Sequence, residues 1–443
     1  MVRRSRGSAL SVVALLGVTV PVVRPAQVPA DQYQRRRAAA MERLDGRILI
    51  VPSQGSFKSD DQAGFQQTTD FQYLTGLGDL VGAVLVFDGL AKRTTLYVPG
   101  PNPVISRPRP TPESAATLGL DAVVPIDSLA PWLTQRIGTA APVLVTASDN
   151  RGTVRTPPPM AGGVSRWSQW LVTLGWKGPI EPALPLLRPL REIKDAGEIA
   201  ILERVGKASG QAMLAGIRAL KPGIRQRTAE AAVVNSCIRS GGRHSFWPWT
   251  MSGPHALFTD LFNSFVAADN HDRVIRAGEV VRVDVGCQID RYMGDVGRTA
   301  PVSGRFTPGQ RESWDLFIAG YRAGLAGLKD GGKTSEVFRL GLDRIRELAP
   351  KLTTAMGRRT AEILLGPGGT GAWEIHGVGL DDAEGMPEDL KAGMTVAYEL
   401  MFIVDGFGFY LEDMILIEPN GYRLLTPGLP YTAAEIEAAM RVR

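Results

Sequence analysis

Five side chains in the second half of the sequence have the chemistry of a metal centre. Asp284 lies in the apolar run Val281-Arg282-Val283-Asp284-Val285-Gly286, and Asp295 follows eleven residues later in Tyr292-Met293-Gly294-Asp295-Val296-Gly297-Arg298-Thr299. His376 sits in Ile375-His376-Gly377-Val378-Gly379-Leu380, Glu399 ends Gly393-Met394-Thr395-Val396-Ala397-Tyr398-Glu399, and Glu412 belongs to Tyr410-Leu411-Glu412-Asp413-Met414. An acid inside an apolar strand is costly to bury unless it is paired or bound to a cation. For Asp284 alone, a buried ion pair would suffice. Four carboxylates and an imidazole brought together repel one another unless cations lie between them. Two divalent ions about 3.5–4 Å apart, bridged by carboxylates around a shared water, would satisfy the set. Oxygen-rich ligation favours Mn²⁺ over a tetrahedral structural Zn²⁺ site, with Co²⁺, Zn²⁺ or Fe²⁺ as alternatives.

Bringing the two aspartates together requires a hairpin. The strand-like run Glu279–Cys287, a turn near Gln288–Arg291 and the returning segment through Thr299 supply one. The glutamates sit on the β-like stretches Thr395–Val404 and Tyr410–Glu418. Between and before these lie helices. Ile199, Leu202, Val205, Ala212, Met213 and Leu220 recur near helical spacing until Pro222-Gly223 stops them, and a second helix spans about Gln226 to Ser240. Helical stretches follow near 310–326 and 334–348. The first half reads differently: a helix over Gln32–Leu44, then strands at Arg47–Val51, Ala83–Phe87, Thr94–Val98 and Val143–Ala147. Strands alternating with helical or polar connections predict an α/β domain with a mixed sheet. Pro101–Pro112 and Thr156–Gly163 read as loops, and Glu181–Pro189, rich in Pro and Leu, as a linker. The expected organisation is a leader over residues 1–30, a first domain over 31–189 and a second over 190–443.

The order Asp, eleven residues, Asp, then His, Glu and Glu resembles the pita-bread metallopeptidases: aminopeptidase P, prolidase and methionine aminopeptidase. The local contexts Val-Asp-Val-Gly, Tyr-x-x-Asp-x-x-Arg-Thr, His-Gly-Val-Gly-Leu, Gly-Met-x-x-x-x-Glu and Leu-Glu-Asp match as well, over residues ~195–426. Tyr73-Leu74-Thr75-Gly76 and the apolar strand after it resemble the creatinase/aminopeptidase-P N-terminal domain. The two-domain layout thus points to the aminopeptidase P or prolidase branch. The resemblance implies an α/β (α+β) protein whose second domain is a curved antiparallel sheet flanked by helices. It further implies that Asp284 chelates one metal, that Asp295 and Glu412 bridge two, and that His376 and Glu399 bind the other. Glu399 would then take the proton of the bridging water. The expected substrate is a peptide with proline in second position, and the expected assembly a homodimer or higher homo-oligomer.

The sequence also departs from that family. Three pocket histidines expected by the resemblance fall on Ala383, Ala372 and Ala267; anchoring upstream at Ser252-Gly253 moves the last to Asp260. The arginine expected before the Glu-Asp pair is Tyr410. His244 and His255 lie on loops near enough in sequence to substitute in part, and His271 sits in a polar turn. Trp247 and Trp249, with Phe246 and Phe258, would line an apolar pocket for a prolyl ring or pack in the core. His255, Trp247 and Tyr410 are therefore the candidate substrate-binding residues. A positioned acid or base contributes about 10²–10⁴ in rate. The alternatives left open are a metal-dependent hydrolase of another amide or ester on the same scaffold, and a weakly active or non-catalytic metal-binding protein. Gly366-Pro367-Gly368-Gly369-Thr370-Gly371 lacks the Lys-Ser/Thr of a phosphate loop and reads as a turn.

Composition excludes other classes. At 443 residues, 44% hydrophobic and 21% charged, the chain is long enough for two domains and too apolar for disorder. The net charge of +5 is concentrated in the leader: Arg3, Arg4, Arg6 and Arg24 fall in residues 1–30 with no acid, leaving 46 basic against 45 acidic side chains. No basic stripe remains for nucleic acid. Beyond the apolar run Ala9–Val23 nothing approaches the ~20 residues that span a bilayer. Two cysteines, Cys237 and Cys287, are too few for a Cys-based zinc site; an exported protein permits a bridge between them. Basic residues, an apolar run and the small-residue exit Val28-Pro29-Ala30 describe a secretory signal, with an uncleaved N-terminal anchor as the alternative. The mature, exported chain is expected to begin near Asp31; N-terminal sequencing that finds Met1 or Val2 on the soluble protein would refute this.

Overall fold

The computed structural model describes residues 28–54, 66–101, 109–137, 142–146, 166–257, 272–367 and 373–441. The apolar run of the leader, the loop Thr156–Gly163, most of Pro101–Pro112, Phe258, Asp260, Ala267, His271 and Ala372 lie outside them. None of the helices among the described residues is long and apolar enough to cross a membrane.

In the first half the helix Ala30–Glu42 precedes a six-stranded sheet. Its strands are β1 (Ile48–Pro52), β2 (Val84–Asp88), β3 (Arg93–Val98), β4 (Ala122–Pro125), β5 (Val143–Val145) and β6 (Ile180–Pro182), in the spatial order β4-β3-β2-β1-β5-β6. The pairs β1/β2 and β2/β3 are antiparallel and β1/β5, β3/β4 and β5/β6 parallel, so the sheet is mixed, as expected. Alternation divides β1 between two cores: Leu49 and Val51 face the large one that continues into the second half, Ile48 and Ile50 a smaller one with Trp176.

Glu181–Pro189 is not a linker. It contains the end of β6 and the start of a helix, Leu184–Glu192, with Leu186, Leu187 and Arg191 buried. Pro185 lies in the first turn of that helix, where the missing N–H is not needed, whereas Pro189 lies inside it. Arg191 then makes a fully buried junction between the halves. It reaches Asp70 (3.1 Å) in the helix Thr69–Thr75, and Asp381 (2.6 Å) and Glu384 (2.7 Å) in the loop after His376. Lys194 adds 2.5 Å to Glu384, and Thr69 donates to Asp381.

The second half starts with the helix Ala196–Ala219, opened by a capping box in which Asp195 and Glu198 satisfy each other's backbone N–H groups. The helix Gln226–Arg239 follows. Seven strands then build a curled antiparallel sheet: β8 (Trp249–Ser252), β9 (Val280–Val285), β12 (Val296–Pro301), β13 (Trp373–Gly377), β14 (Thr395–Val404), β15 (Phe407–Glu418) and β16 (Gly421–Leu424). The order is β13-β14-β15-β12-β9-β8, with β16 paired to β15. Helices Pro308–Gly324, Thr334–Leu348 and Ala355–Leu365 join β12 to β13.

The aspartate hairpin is longer than the sequence suggests. β9 and β12 do pair, but the chain between them leaves the sheet as β10 (Cys287–Ile289) and β11 (Tyr292–Met293), which pair with each other, β10 also pairing with β7 (Arg243–His244). Asp290 and Arg291, both at positive φ, make the two-residue turn. The crossing is tight: a Cβ on Gly286 would lie 1.7 Å from the Gly294 carbonyl oxygen. Cys287 on β10 bridges to Cys237 on the preceding helix, closing the question the sequence left open. A crosslink spanning 50 residues removes unfolded-state entropy equivalent to about 4 kcal/mol.

Strand alternation gives the sheet two electrostatic faces. Arg298 and Asp413 are both fully buried at 2.8 Å, on the face opposite Glu412, and Asp413 also accepts from Tyr321, Tyr431 and Thr426 hydroxyls. Arg298 donates to the Glu412 carbonyl as well, fastening β12 to β15. Arg298→Met is expected to cost about 3–5 kcal/mol by leaving Asp413 buried without its counter-charge. Urea unfolding measures this, and a loss under about 1 kcal/mol would contradict the clamp.

Candidate metal centre

Register builds the site as a row across six strands. Glu374 on β13 faces Glu399 on β14, Glu399 faces Glu412 on β15, Glu412 faces Gly297 on β12, Gly297 faces Asp284 on β9, and Asp284 faces Trp249 on β8. Residues opposite one another across a ladder share a face, so four of these six side chains present carboxylates on one surface. His376 and Asp295 join from two residues along β13 and two before Gly297, which alternation places on that same face.

Asp295, His376 and Glu412 are all buried, and each offers a ligand atom within 4.8 Å of the others. His376 Nε2 lies 3.5 Å from Glu412 Oε1, 3.8 Å from Asp295 Oδ2 and 3.9 Å from Glu399 Oε1. Its Nδ1 is 3.2 Å from the Gly377 carbonyl, which can only accept, so Nδ1 carries a hydrogen, and loss of the second hydrogen from Nε2 would turn a lone pair towards the carboxylates. Asp295 Oδ1 is buried with no hydrogen-bond partner among the described residues. A buried, orphaned carboxylate oxygen beside an imidazole lone pair and two further acids is a donor set suited to a divalent cation.

The electrostatics carry the same message. Burial, then the neighbouring Glu412 and Asp284 charges, hold the Asp295 carboxyl well above the usual range. Burial also raises Glu412, partly offset by His376. For His376 burial works against the charged form, yet the hydrogen bond to Glu412 and the Glu399 and Glu412 charges outweigh it and lift the imidazole to about 9. Without a cation, the cluster retains protons to stay near neutrality.

All five residues expected as ligands therefore lie together: three close the group, Glu399 reaches His376, and Asp284 occupies the same row. Tyr410 is inside this cluster, its hydroxyl 2.8 Å from both Glu399 Oε2 and Glu412 Oε2. His255, on the turn Gly253–Ala256, has Nδ1 3.2 Å from Gln226 Nε2. Trp247 is 38% exposed and donates to Glu230. Neither belongs to the row; Trp249 does. Burial lowers the His244 pKa, and its ring packs edge-on against Trp247. Glu374 and Arg282 were not singled out from the sequence. Glu374 was detectable as the residue two before His376 on a strand; Arg282 stood in plain view two residues before Asp284. Ala383 lies in the loop between Asp381 and Glu384.

Residues 200–419 match the model of metallopeptidase family M24, and residues 33–145 that of the aminopeptidase P N-terminal domain. The chain belongs to metallopeptidase family M24. It is accordingly a hydrolase of peptide bonds, and the family implies the divalent ions that the donor set fits. Over almost its whole length this M24 chain is similar to the Xaa-Pro aminopeptidase of Escherichia coli K12, at 23% identity over 462 residues, covering 94% of this chain and 98% of that protein. Xaa-Pro aminopeptidase 2 of Streptomyces coelicolor is 27% identical over 461 residues, covering 93% and 92%. The structure of E. coli aminopeptidase P with the inhibitor Pro-Leu aligns at a TM-score of 0.74 and 22% identity over 94% of this chain and 98% of that one, a likeness of fold.

The proton inventory predicts how metal and pH interact. A folded-state His376 near 9, above its unfolded value of about 6.5, stabilises the metal-free protein below about pH 6.5, and that contribution is lost as pH rises through about 9. The raised Asp295 and Glu412 carboxyls act in the same sense from lower pH. Metal needs the deprotonated ligands, so the melting-temperature gap between Mn²⁺-loaded and chelator-treated protein should widen from about pH 6.5 to about pH 9. Calorimetry at a series of pH values tests this; a constant gap would contradict it.

Proposed function

We propose that the chain is an exported dinuclear exopeptidase that hydrolyses the peptide bond before a proline in second position, using two divalent ions, Mn²⁺ by preference. The observation that carries the reading is the cross-strand row: Glu399, Glu412 and Asp284 on one face, closed by Asp295 and His376. Bound ions in such a site would supply Lewis acidity for the scissile carbonyl and lower the pKa of water. The chain's own residues do the rest. Asp295 and Glu412, both buried at the centre of the cluster, would be shared between the ions; Asp284 would serve one of them, and His376 and Glu399 the other. Glu399 takes the proton from the attacking water and returns it to the departing proline nitrogen.

The names of the relatives support the proline preference, and Trp249 supports it physically, since an indole beside Asp284 offers the flat apolar wall that a pyrrolidine ring packs against. The Cys237–Cys287 bridge supports export, because disulfides persist in oxidising compartments. A homodimer or larger assembly completes the proposal.

Protein stripped of metal and reconstituted with Mn²⁺ is expected to release the first residue from Xaa-Pro peptides. Glu399→Gln and Asp295→Asn should each reduce kcat by at least about 10²-fold. A preparation that binds Mn²⁺ and cleaves no Xaa-Pro peptide, but hydrolyses other amides or esters, would overturn the substrate assignment.

A further inference from the structure

We infer that Tyr410 is a positioning residue that sorts the oxygens of Glu399 and Glu412, an inference that rests on the reading of those carboxylates as metal ligands. The Tyr410 hydroxyl is 2.8 Å from Oε2 of each glutamate. The remaining oxygens, Oε1 of Glu399 and Oε1 of Glu412, are the ones that face His376 Nε2, at 3.9 and 3.5 Å. One phenol thus stands behind two adjacent carboxylates, its single hydrogen donated to one Oε2 at a time, and leaves the front of each turned into the ligand cluster. A metal-binding carboxylate that is free to rotate pays for its orientation at binding; one already tethered does not.

The surroundings are built for this ring. Tyr410 is 2% exposed, and its backbone N–H donates to Thr299 Oγ1 at 2.7 Å, fixing the strand beneath it. The ring lies across Gly297, the one position of the row without a side chain. A Cβ there would sit 2.0 Å from Tyr410 Cε1, so any other residue at 297 would displace the phenol. On the ring's face lies Arg282, its guanidinium 4.7 Å from the centroid. Arg282 is 1% exposed, forms no salt bridge among the described residues, and makes one long hydrogen bond, 3.5 Å to the Ala256 carbonyl. A desolvated cation against the π-face holds the ring in place and strengthens the hydroxyl as a donor toward the acids. Arg282 therefore acts through Tyr410.

The test is Mn²⁺ titration calorimetry on the full chain, alongside thermal unfolding of the metal-free proteins. Tyr410→Phe keeps the ring and removes only the tether. It is expected to weaken Mn²⁺ binding about 10- to 100-fold while the metal-free melting temperature stays within a few degrees of the parent. Arg282→Met is expected to weaken Mn²⁺ binding in the same direction. The double variant should be no weaker than Tyr410→Phe alone, since the cation has nothing left to act through. Parent-like Mn²⁺ affinity in Tyr410→Phe overturns the inference and leaves the metal reading standing. Strictly additive losses in the double variant overturn the role given to Arg282. A parent protein that binds no Mn²⁺ overturns the metal reading and this inference together.

Discussion

Carboxylates on neighbouring strands repel, and the second half of this protein is organised around that repulsion. Strands in a sheet stand about 4.8 Å apart, so Glu374, Glu399 and Glu412 in consecutive register are held far closer than free acids in water would settle. The sheet does not relieve the conflict by turning one of them outward, because alternation ties each to its strand's core face. Relief comes from charge: protons in the metal-free protein, divalent ions in a working peptidase. The opposite face shows what the same fold does when the charge is permanent. There Arg298 meets Asp413 in full burial, one residue along each strand from the acid row. Metal-dependent chemistry and permanent fastening share two strands and are kept apart by a peptide's half-turn.

Much of this was legible in the sequence, and the limits have identifiable causes. Asp284, Asp295, His376, Glu399 and Glu412 stood out because each interrupts an apolar strand, and their contexts resemble one family. The mixed sheet of the first half followed from its apolar runs. What could not be read was register. Nothing in the spacing says that Gly297 stands between Glu412 and Asp284, so the vacancy that Tyr410 fills was invisible, and Tyr410 appeared as a candidate substrate-binding residue in the place of an expected arginine. The detour through β10 and β11 was hidden because it pairs in a different sheet. The Pro-Leu segment before residue 190 was misread because prolines at a helix start look like loop prolines until Leu186, Leu187 and Arg191 are seen to be buried. The cysteine pair stayed open because fifty residues of separation carry no geometry.

The pocket around the row differs from the one the resemblance predicts. Ala383 sits where a histidine was expected, yet the flanking Asp381 and Glu384 are held as firmly as any ligand. Buried ion pairs on both sides therefore fix the loop that carries Ala383. Positive charge near the acids comes instead from Arg282, two strands from the position where an arginine was expected.

The Arg191 junction has a bearing on how such a protein can be inherited. Asp70 and Thr69 come from the first half, Arg191 and Lys194 from the connecting stretch, Asp381 and Glu384 from the loop just beyond His376. A recombination event that joined this catalytic half to a foreign partner would strand buried charges of both signs beside the histidine. A substitution on one side of this junction therefore carries its cost to the other, because each buried charge is balanced from the opposite half.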